Sequence, residues 1–239
     1  MVASWLHILF PPAENPFSFP FMSSGAFQLP VLFDLGATFA FALTGALAAI
    51  KRGYDIVGVF FLALVSSIGG GLIRDGVFLP GGGATPLLTD PRYIELIVAA
   101  TAGAAFFGGH VKRFHRTIAL LDALGLGAYA AFGTQKALQT GLSVPAAILV
   151  GVINAAGGGL LRDVITREEP LVFRPGQFYV LTAVAGAVTF VFLSTSLGLT
   201  ATTAAAIAVA VTFVFRVLTI VFNWRTSAVA APESSDERG

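Results

Sequence analysis

The sequence predicts an all-α, polytopic membrane protein with seven transmembrane helices, built as two inverted three-helix repeats and one C-terminal helix. Three observations predict this fold. Hydrophobic residues make up 56% of the 239 residues and charged residues only 11%, whereas a soluble domain carries about 25% charged residues. The mean hydropathy is +0.83, and the apolar residues lie in long segments. A seven-residue motif also occurs twice, 88 residues apart.

Segments of about 20 mostly apolar residues are long enough to cross a membrane as helices. Polar clusters and clusters of Pro and Gly divide the chain into seven such segments, at residues 31–50, 56–79, 92–110, 117–138, 144–165, 177–195 and 200–223. Only a short polar stretch separates the last two. We keep them apart because a single helix over both would be far too long for a bilayer.

The remaining segments are predicted to lie outside the membrane. Residues 1–30 contain several prolines and no Lys or Arg, so they predict an extramembrane N-terminal arm and not a signal peptide. Residues 224–239 are polar and predict a disordered cytoplasmic tail. The predicted units between them are the first repeat, the second repeat and the seventh helix, at residues 31–116, 117–199 and 200–223.

Basic residues predict the orientation, because cytoplasmic loops carry an excess of Lys and Arg. With the N-terminus outside, the inner loops and the tail hold ten basic residues and the outer side holds three, while Arg216 lies within the last segment. The predicted topology is therefore N-outside and C-inside.

The repeated motif lies within two of the apolar segments. Gly69 to Asp75 reads GGGLIRD, and Gly157 to Asp163 reads GGGLLRD. The same offset relates further pairs, namely Asp34 with Asp122, Gly45 with Gly133 and Gly53 with Gly141. A looser match, at a slightly shorter offset, relates Pro91 to Tyr93 with Pro175 to Tyr179. Each copy holds three predicted helices, and an odd number forces the second copy to run opposite to the first.

Three consecutive glycines are costly inside a helix, because they have no side chain and leave the backbone flexible. We therefore expect both helices to break, at Gly69 to Gly71 and at Gly157 to Gly159, near the middle of the membrane. The breaks would expose free carbonyl and amide groups to a water-lined site. An alternative stays open, in which the glycines only permit two helices to cross closely.

Polar residues directly before the glycines favour cations at this site, because hydroxyl and amide oxygens suit K⁺ or Na⁺ in transit. No other metal site is predicted. The predicted pore or ion-binding residues are Ser66, Ser67, Gly69, Gly70, Gly71, Asn154, Gly157, Gly158 and Gly159.

Charged residues follow the glycines. The residues predicted to form gating or structural ion pairs are Arg74, Asp75, Arg162, Asp163 and Lys136. Each Arg is expected to pair with a residue on another helix and not with its adjacent Asp, because neighbours in a helix point about 100° apart. Lys136 either extends to the interface or lines the path and modulates the cation flux.

Four further charges fall in the predicted helices. Asp34 and Asp122 open the first helix of each copy, and they are candidates for helix caps or for charges at the pore mouth. Glu95 and Arg216 are lone intramembrane charges and candidate partners of each other.

Several classes of function lack their signature residues in this sequence. The chain has no cysteine, and its three histidines lack metal-ligand spacing. The motif GGGLIRD does not fit a nucleotide-binding loop, and no serine, histidine and acid are arranged for catalysis. Basic residues are too few and scattered for nucleic acid. We therefore expect neither an enzyme nor a cofactor.

The paired motif, with Glu169 to Arg174 after the second copy, resembles the prokaryotic trimeric intracellular cation (TRIC) channel family, whose repeat is also called a glycine transporter domain. The resemblance covers about residues 31–222. It implies a homotrimer in a prokaryotic cell membrane, in which each subunit has its own path for K⁺ and Na⁺. In that family the second and fifth helices are kinked at the glycines and line the path. Animal members carry a basic pair on the fourth helix that is linked to gating and lipid binding, and Lys136 alone stands in that stretch.

These observations together predict a passive channel for monovalent cations whose partners are its own subunits, membrane lipids and the permeating ions. The alternative is a secondary carrier for a small zwitterion such as glycine, in which helix amide ends bind a carboxylate and Asp75 or Asp163 binds an ammonium group. A third, weaker alternative is a membrane scaffold in which the glycines serve packing only.

Overall fold

Seven helices form the part of the chain that the computed structural model describes, which is residues 27–79, 89–108, 114–174 and 178–224. No β-strand occurs among those residues, so the predicted all-α class is confirmed. The helices are α1 (Val31–Lys51), α2 (Ile56–Ile73), α3 (Pro91–Phe107), α4 (Phe114–Gln139), α5 (Val144–Ile165), α6 (Tyr179–Val191) and α7 (Ala201–Val221). A π-helical turn extends α2 over Arg74–Phe78, and another extends α6 over Phe192–Ser196.

Six of these helices are long and apolar enough to cross a membrane, where α2 and α6 are counted together with their π-helical turns. The exception is α3, whose 17 residues span roughly 26 Å at 1.5 Å per residue, somewhat less than the hydrocarbon core of about 30 Å. A count of seven spans and the N-outside orientation therefore stay predictions.

The ends of the helices follow from local sequence signals. Asp55 caps α2 by accepting a hydrogen bond from the Gly58 amide at 2.8 Å, and Pro91 follows the capping Asp90 at the start of α3. The turns after α1 and α4 contain Gly53 and Gly141, with φ of 75° and 84°. Glycine adopts this left-handed conformation without steric cost. The two glycines therefore serve the same purpose in each copy.

Equivalent helices of the two copies pack together at the centre of the bundle. Helix α1 packs against α4, and α2 packs against α5. On the outside, α3 contacts α1 and α2, while α7 contacts α4 and α6. The rings of Phe41 and Tyr129, which occupy equivalent positions 88 residues apart, stack on each other at 5.4 Å. Contact between equivalent residues is what the predicted inverted repeat would produce near its symmetry axis.

The last residues of the predicted N-terminal arm are not free of the bundle. Phe27 is buried and packs its ring against Phe190 at 6.1 Å, and its carbonyl accepts a hydrogen bond from Gln135. Phe27 and Leu29 join an apolar core formed by the ends of four helices, and the extramembrane position of the arm stays a prediction. Residues 1–26 lie outside the described residues.

The predicted tail lies almost wholly outside the described residues as well. Its first residue, Trp224, packs against the rings of Phe178 and Phe215. The other residues of the tail, 225–239, are not described, so their predicted disorder stays a prediction.

Candidate functional site

Helices α2 and α5 cross in direct backbone contact at the two glycine triplets. A Cβ on Gly70 would lie 2.0 Å from the carbonyl oxygen of Asn154, and a Cβ on Gly158 would lie 2.1 Å from that of Ser66. A Cβ on Gly157 would lie 2.9 Å from the Gly70 Cα. Side chains at these positions would therefore separate the helices, and only glycine permits this approach.

The same contacts show that the two helices run antiparallel where they cross. Ser66 of α2 meets the later residue Gly158 of α5, and Gly70 of α2 meets the earlier residue Asn154. Helices α2 and α5 hold equivalent positions in the two copies, so this crossing has the arrangement that an inverted repeat requires.

The expectation that the glycines break their helices is wrong. Both α2 and α5 remain α-helical through the triplets, at residues 69–71 and 157–159. The cost of glycine in a helix is offset here because the missing side chains of Gly70, Gly157 and Gly158 allow a close helix contact. The departure from α-helical geometry comes later, in the π-helical turn Arg74–Phe78. The alternative interpretation of the glycines, as residues that permit close crossing, matches this geometry.

The predicted polar residues gather at the crossing, and all three are fully buried. Asn154 Nδ2 donates to the Tyr129 carbonyl at 2.8 Å, and Asn154 Oδ1 accepts from Arg74 Nη1 at 3.3 Å. The Ser67 hydroxyl donates to its own helix, at the Leu64 carbonyl. The Ser66 hydroxyl has no hydrogen-bond partner among the described residues. The crossing is therefore closed to solvent in this conformation, with one polar group unsatisfied.

The charged residues after the first glycine triplet belong to a partly buried network, here called the Asp34 cluster, of Asp34, Arg74, Asp75, Tyr93 and Lys136. Arg74 donates to the two carboxylate oxygens of Asp75 at 2.7 and 2.8 Å, and Lys136 donates to Asp75 at 2.9 Å. The Tyr93 hydroxyl donates to Asp34, which also interacts electrostatically with Arg74. Four helices thus meet at this cluster.

An equivalent network, here called the Asp122 cluster, lies on the other side of the crossing and contains Asp122, Arg162, Asp163, Tyr179 and Arg216. Arg162 donates to Asp122 and to Asp163, at 2.9 Å in each case. The guanidinium of Arg216 lies over the Tyr179 ring, 5.1 Å from its centroid. Both clusters hold two acidic and two basic residues, so the formal charge of each is balanced.

Two predictions about charge pairs are wrong. Arg74 and Arg162 each bind the adjacent Asp as well as a residue on another helix, because a guanidinium has five donors on a long stem and serves both. Glu95 and Arg216 are not partners. Glu95 is exposed, two residues from Tyr93 of the Asp34 cluster, whereas Arg216 belongs to the Asp122 cluster.

A cavity of about 200 Å³ opens at the Asp122 end of the bundle. It is lined by residues of the Asp122 cluster and by charged residues outside the helices. At its mouth Lys51 and Arg52 donate to Glu168 at 3.0 and 3.2 Å. Partial burial would raise the pKa of Glu168, but the hydrogen bond from Lys51 and the charges of Lys51 and Arg52 hold that pKa below its ordinary value. The mouth is therefore held by an ion pair that stays charged at neutral pH.

Tyrosines are the site residues that the sequence reasoning missed. Tyr93 and Tyr179 bind or face the aspartates of the two clusters, and the Tyr129 hydroxyl donates to the Ser67 carbonyl at 2.6 Å. The looser match between Pro91 to Tyr93 and Pro175 to Tyr179 pointed to the first two. Tyr129 had no such signal, because its equivalent in the first copy is Phe41.

Comparison with known proteins identifies relatives that match most of this chain. A family model described as Glycine transporter matches residues 31–110 and 119–195. A UPF0126 membrane protein of Deinococcus radiodurans is 36% identical over 157 residues, which is 64% of this chain and 71% of the relative. YvgT of Bacillus subtilis is 32% identical over 188 residues, 78% of this chain and 89% of its own. The inner membrane protein YadS of Escherichia coli K12 is 30% identical over 156 residues, 65% and 74% of the two chains.

Solved channel structures also resemble this one. A TRIC trimeric intracellular cation channel orthologue from Rhodobacter sphaeroides superimposes with a TM-score of 0.75 and 33% identity, covering 80% of this chain and 97% of that one. A prokaryotic TRIC channel in 0.5 M KCl gives a TM-score of 0.74 and 28% identity, with 80% and 95% covered. The family resemblance found in the sequence is thereby confirmed, and these matches favour a channel over an enzyme.

We predict that Gly70→Ala destabilises the protein by about 2 kcal/mol, within the range for overpacked sites, because its methyl group meets a backbone carbonyl. Thermal unfolding in detergent measures the effect. The matched control is Gly36→Ala, a helical glycine whose added Cβ meets no atom within 4 Å; it should be neutral or stabilising by up to about 1 kcal/mol. Equal unfolding temperatures for the two variants would show that the crossing tolerates a side chain.

Proposed function

We propose that this chain, which belongs to the TRIC channel family, is a passive channel for monovalent cations in a prokaryotic cell membrane. Each subunit of a homotrimer would contain its own path for K⁺ and Na⁺. The observation that carries the proposal is the antiparallel crossing of α2 and α5, which has buried oxygen ligands and a charge-balanced cluster on either side. The similarity to solved TRIC channels supports the same function.

The proposed path enters through the cavity at the Asp122 end. It passes Arg162 and Asp163, which border that cavity, and then reaches the crossing of α2 and α5. Beyond the crossing it meets Arg74 and Asp75, and leaves past Lys136. On this path the ion would exchange water for protein oxygens only at the crossing, where helix backbone and small polar side chains come together.

The ligands at the crossing would be oxygen atoms of both helices. Ser66 offers its unpartnered hydroxyl, and Asn154 offers Oδ1. The donor end of the Asn154 amide is directed away, since it binds the Tyr129 carbonyl. An acceptor surface of this kind favours cations over anions.

The two helices of the closed crossing have to shift relative to each other before ions pass, and the glycines allow one helix to slide along the other. Side chains that interlock resist sliding, whereas contact between bare backbones lacks such ridges. The contacts to be broken are the 3.3 Å bond from Arg74 to Asn154 and the 2.6 Å bond from Tyr129 to the Ser67 carbonyl. We propose that the glycines form a smooth contact surface between two unbroken helices. The sequence had instead predicted a break in each helix at these glycines.

A carrier for a small zwitterion is the second candidate, favoured by the balanced charges around the cavity. Asp122 lines the cavity and faces the Tyr179 hydroxyl. A carboxylate oxygen suits an ammonium group, and the nearby arginines suit a carboxylate. A cavity of about 200 Å³ is large enough for a small amino acid. The description of the matching family as Glycine transporter agrees with this alternative.

Recording in planar lipid bilayers decides between these functions. We expect purified protein to give unitary currents whose reversal potential follows the K⁺ gradient. Saturable uptake of glycine into proteoliposomes without such currents would establish the carrier. Silence in both assays would leave a scaffold, in which the close crossing serves packing alone.

We expect Ser66→Ala to lower the unitary K⁺ conductance several-fold without lowering thermal stability, because it removes a hydroxyl that bonds to no described residue. The matched control is Ser67→Ala. Its hydroxyl donates to the Leu64 carbonyl of the same helix, so this variant should conduct as the parent does. Identical conductance in both variants would remove Ser66 from the proposed ion path.

Lys136→Gln should raise the unitary cation conductance, because it removes a positive charge from the proposed exit and frees Asp75 from one of its two basic partners. The effect should weaken at high ionic strength, where charges are screened. Arg92→Gln is the control, since Arg92 pairs with Asp90 in an exposed position. A conductance that rises equally in both variants would indicate a general surface-charge effect and not a role for Lys136 in the path.

A further inference from the structure

Residues 166–174 follow α5 and form part of the wall of the cavity at the Asp122 end; they are here called the lid. The lid residues that line the cavity are Thr166, Glu168, Glu169, Leu171 and Arg174. Lys51, the last residue of α1, lines the same cavity and binds Glu168 across its mouth. The position of the lid therefore sets how wide the mouth of the cavity is.

Two ion pairs join the lid to the end of α1. Lys51 Nζ and Arg52 Nη2 both donate to Glu168 Oε1, at 3.0 and 3.2 Å. The three side chains are between 28% and 37% exposed. Ion pairs with this exposure contribute little to stability, and dissolved salt weakens them further. The lid is therefore attached to α1 by contacts that break easily.

The backbone is strained at Arg167, where the chain turns away from α5 into the lid. Arg167 has a φ of 56°. Its amide binds the Val164 carbonyl at 3.1 Å, and the Glu168 amide binds the Asp163 carbonyl at 2.9 Å. This is the Schellman motif, whose left-handed residue is usually glycine because a Cβ crowds the backbone in this conformation. The Arg167 side chain is exposed, so packing of that side chain does not offset the strain.

Three other helices end in the same motif with a residue that tolerates it. The left-handed residue is Gly53 after α1, Gly141 after α4 and Asn223 after α7, with φ of 75°, 84° and 50°. Glycine and asparagine adopt this conformation more readily than other residues. Among these four helices, only α5 has a long side chain at this position. A strained residue persists where surrounding contacts hold it, and such residues are concentrated in segments that switch.

The lid also binds the Asp122 cluster, deeper in the cavity. The Leu171 amide donates to Asp163 Oδ2 at 3.3 Å, while Asp163 Oδ1 accepts from Arg162 at 2.9 Å. Leu171 and Val172 pack against the apolar core between α4 and α6. A movement of the lid away from the bundle would therefore remove one partner of Asp163 as well as widen the mouth.

We infer that residues 166–174 open the cavity when the ion pairs from Lys51 and Arg52 to Glu168 break, with Arg167 as the hinge. This structure shows the lid closed. Strain at Arg167 favours release and the two ion pairs oppose it, so the balance depends on ionic strength. The opening of the cavity does not rest on the proposed channel function, whereas its effect on ion conduction does.

The chain contains no cysteine, so a single cysteine reporter tests the lid in the full-length protein. Ala119→Cys lies in the cavity wall. In lipid nanodiscs both faces of the protein are open to an uncharged, water-soluble thiol reagent. Adding Glu168→Gln should raise the labelling rate about fivefold, as expected for the loss of two partly exposed ion pairs. Labelling of the parent reporter should also accelerate at high ionic strength, and Glu168→Gln should remove this salt dependence.

The matched control is Glu169→Gln. Glu169 also lines the cavity, but its ion pair is with Arg174 of the lid itself, at 3.6 Å. Its loss should therefore change the labelling rate by less than about twofold. An unchanged rate in Glu168→Gln, or an equal rise in both variants, would overturn the inference.

Exchange of the charges separates attraction from shape. Glu168→Lys alone should label at least as fast as Glu168→Gln, because it places a third positive charge beside Lys51 and Arg52. Adding Lys51→Glu and Arg52→Glu restores the attraction with reversed signs and should return the labelling rate close to that of the parent. A triple variant that labels as fast as Glu168→Lys would refute the electrostatic attachment of the lid.

Substitution of the hinge tests the strain. Arg167→Gly should slow labelling about threefold, because the closed lid no longer holds a Cβ in the left-handed conformation. Arg167→Ala removes the same charge but keeps the Cβ, so its labelling rate should stay within about twofold of the parent. If glycine labels as fast as alanine, or faster, Arg167 is not a strained hinge.

A second reporter distinguishes opening of the lid from general unfolding. Ala205→Cys is fully buried in α7 and should stay protected in every variant; labelling of it in Glu168→Gln would overturn the inference, because Glu168 would then serve general stability. In bilayers Glu168→Gln should raise the open probability. Faster labelling without any change in current would support the lid and remove this cavity from the proposed ion path.

Discussion

The structure depends on one contact, the backbone-to-backbone crossing of α2 and α5. Lipid gives little hydrophobic driving force for helix association, so close van der Waals packing has to hold the bundle together. The two reciprocal contacts, Gly70 with the Asn154 carbonyl and Gly158 with the Ser66 carbonyl, bring the two copies of the repeat as near to each other as helices can come. Helices α1 and α4 then fill the space on either side of this crossing.

The crossing also explains why charges are tolerated so close to the centre of the molecule. A buried ion needs both a counter-ion and hydrogen bonds to its remaining polar atoms. Each arginine follows its glycine triplet by one helical turn, and this position brings it within reach of the partner helix or of the first helix of its own copy. The adjacent aspartate supplies the remaining charge, so each arginine is satisfied from two directions. The Arg-Asp pairs that mark the repeat in the sequence therefore stabilise the crossing of α2 and α5 on both of its sides.

The sequence predicted the helices and pointed to most of the residues that meet at the crossing and in the two clusters, because both leave local or repeated signals; the roles of these residues in a pore stay predictions. Apolar length located the helices, and the 88-residue offset by itself paired Asp34 with Asp122. The fate of the glycines was predicted incorrectly, since the cost of glycine in a helix is a local property and the contact that offsets it is tertiary. Tyr129 was missed for a different reason: its equivalent in the first copy is Phe41, so the repeat carried no signal for its hydroxyl, which donates to the Ser67 carbonyl of α2.

Balanced charge in both clusters limits what can confer selectivity in the proposed channel. A ring of like charges attracts one sign of ion, but two acids and two bases at each end attract neither strongly. Selection would then fall to the crossing, where the polar atoms that remain available are oxygens. The Asn154 amide nitrogen and the Tyr129 hydroxyl are already committed as donors, and helical N–H groups are bonded within α2 and α5. Among the described residues at the crossing, an anion would find the Ser66 O–H as an unbonded donor, whereas a cation would find the Ser66 hydroxyl oxygen together with Asn154 Oδ1 and the second lone pairs of helix carbonyls. The proposed preference for cations therefore rests on hydrogen bonding within the fold, which engages the Asn154 and Tyr129 donors and leaves oxygen acceptors available.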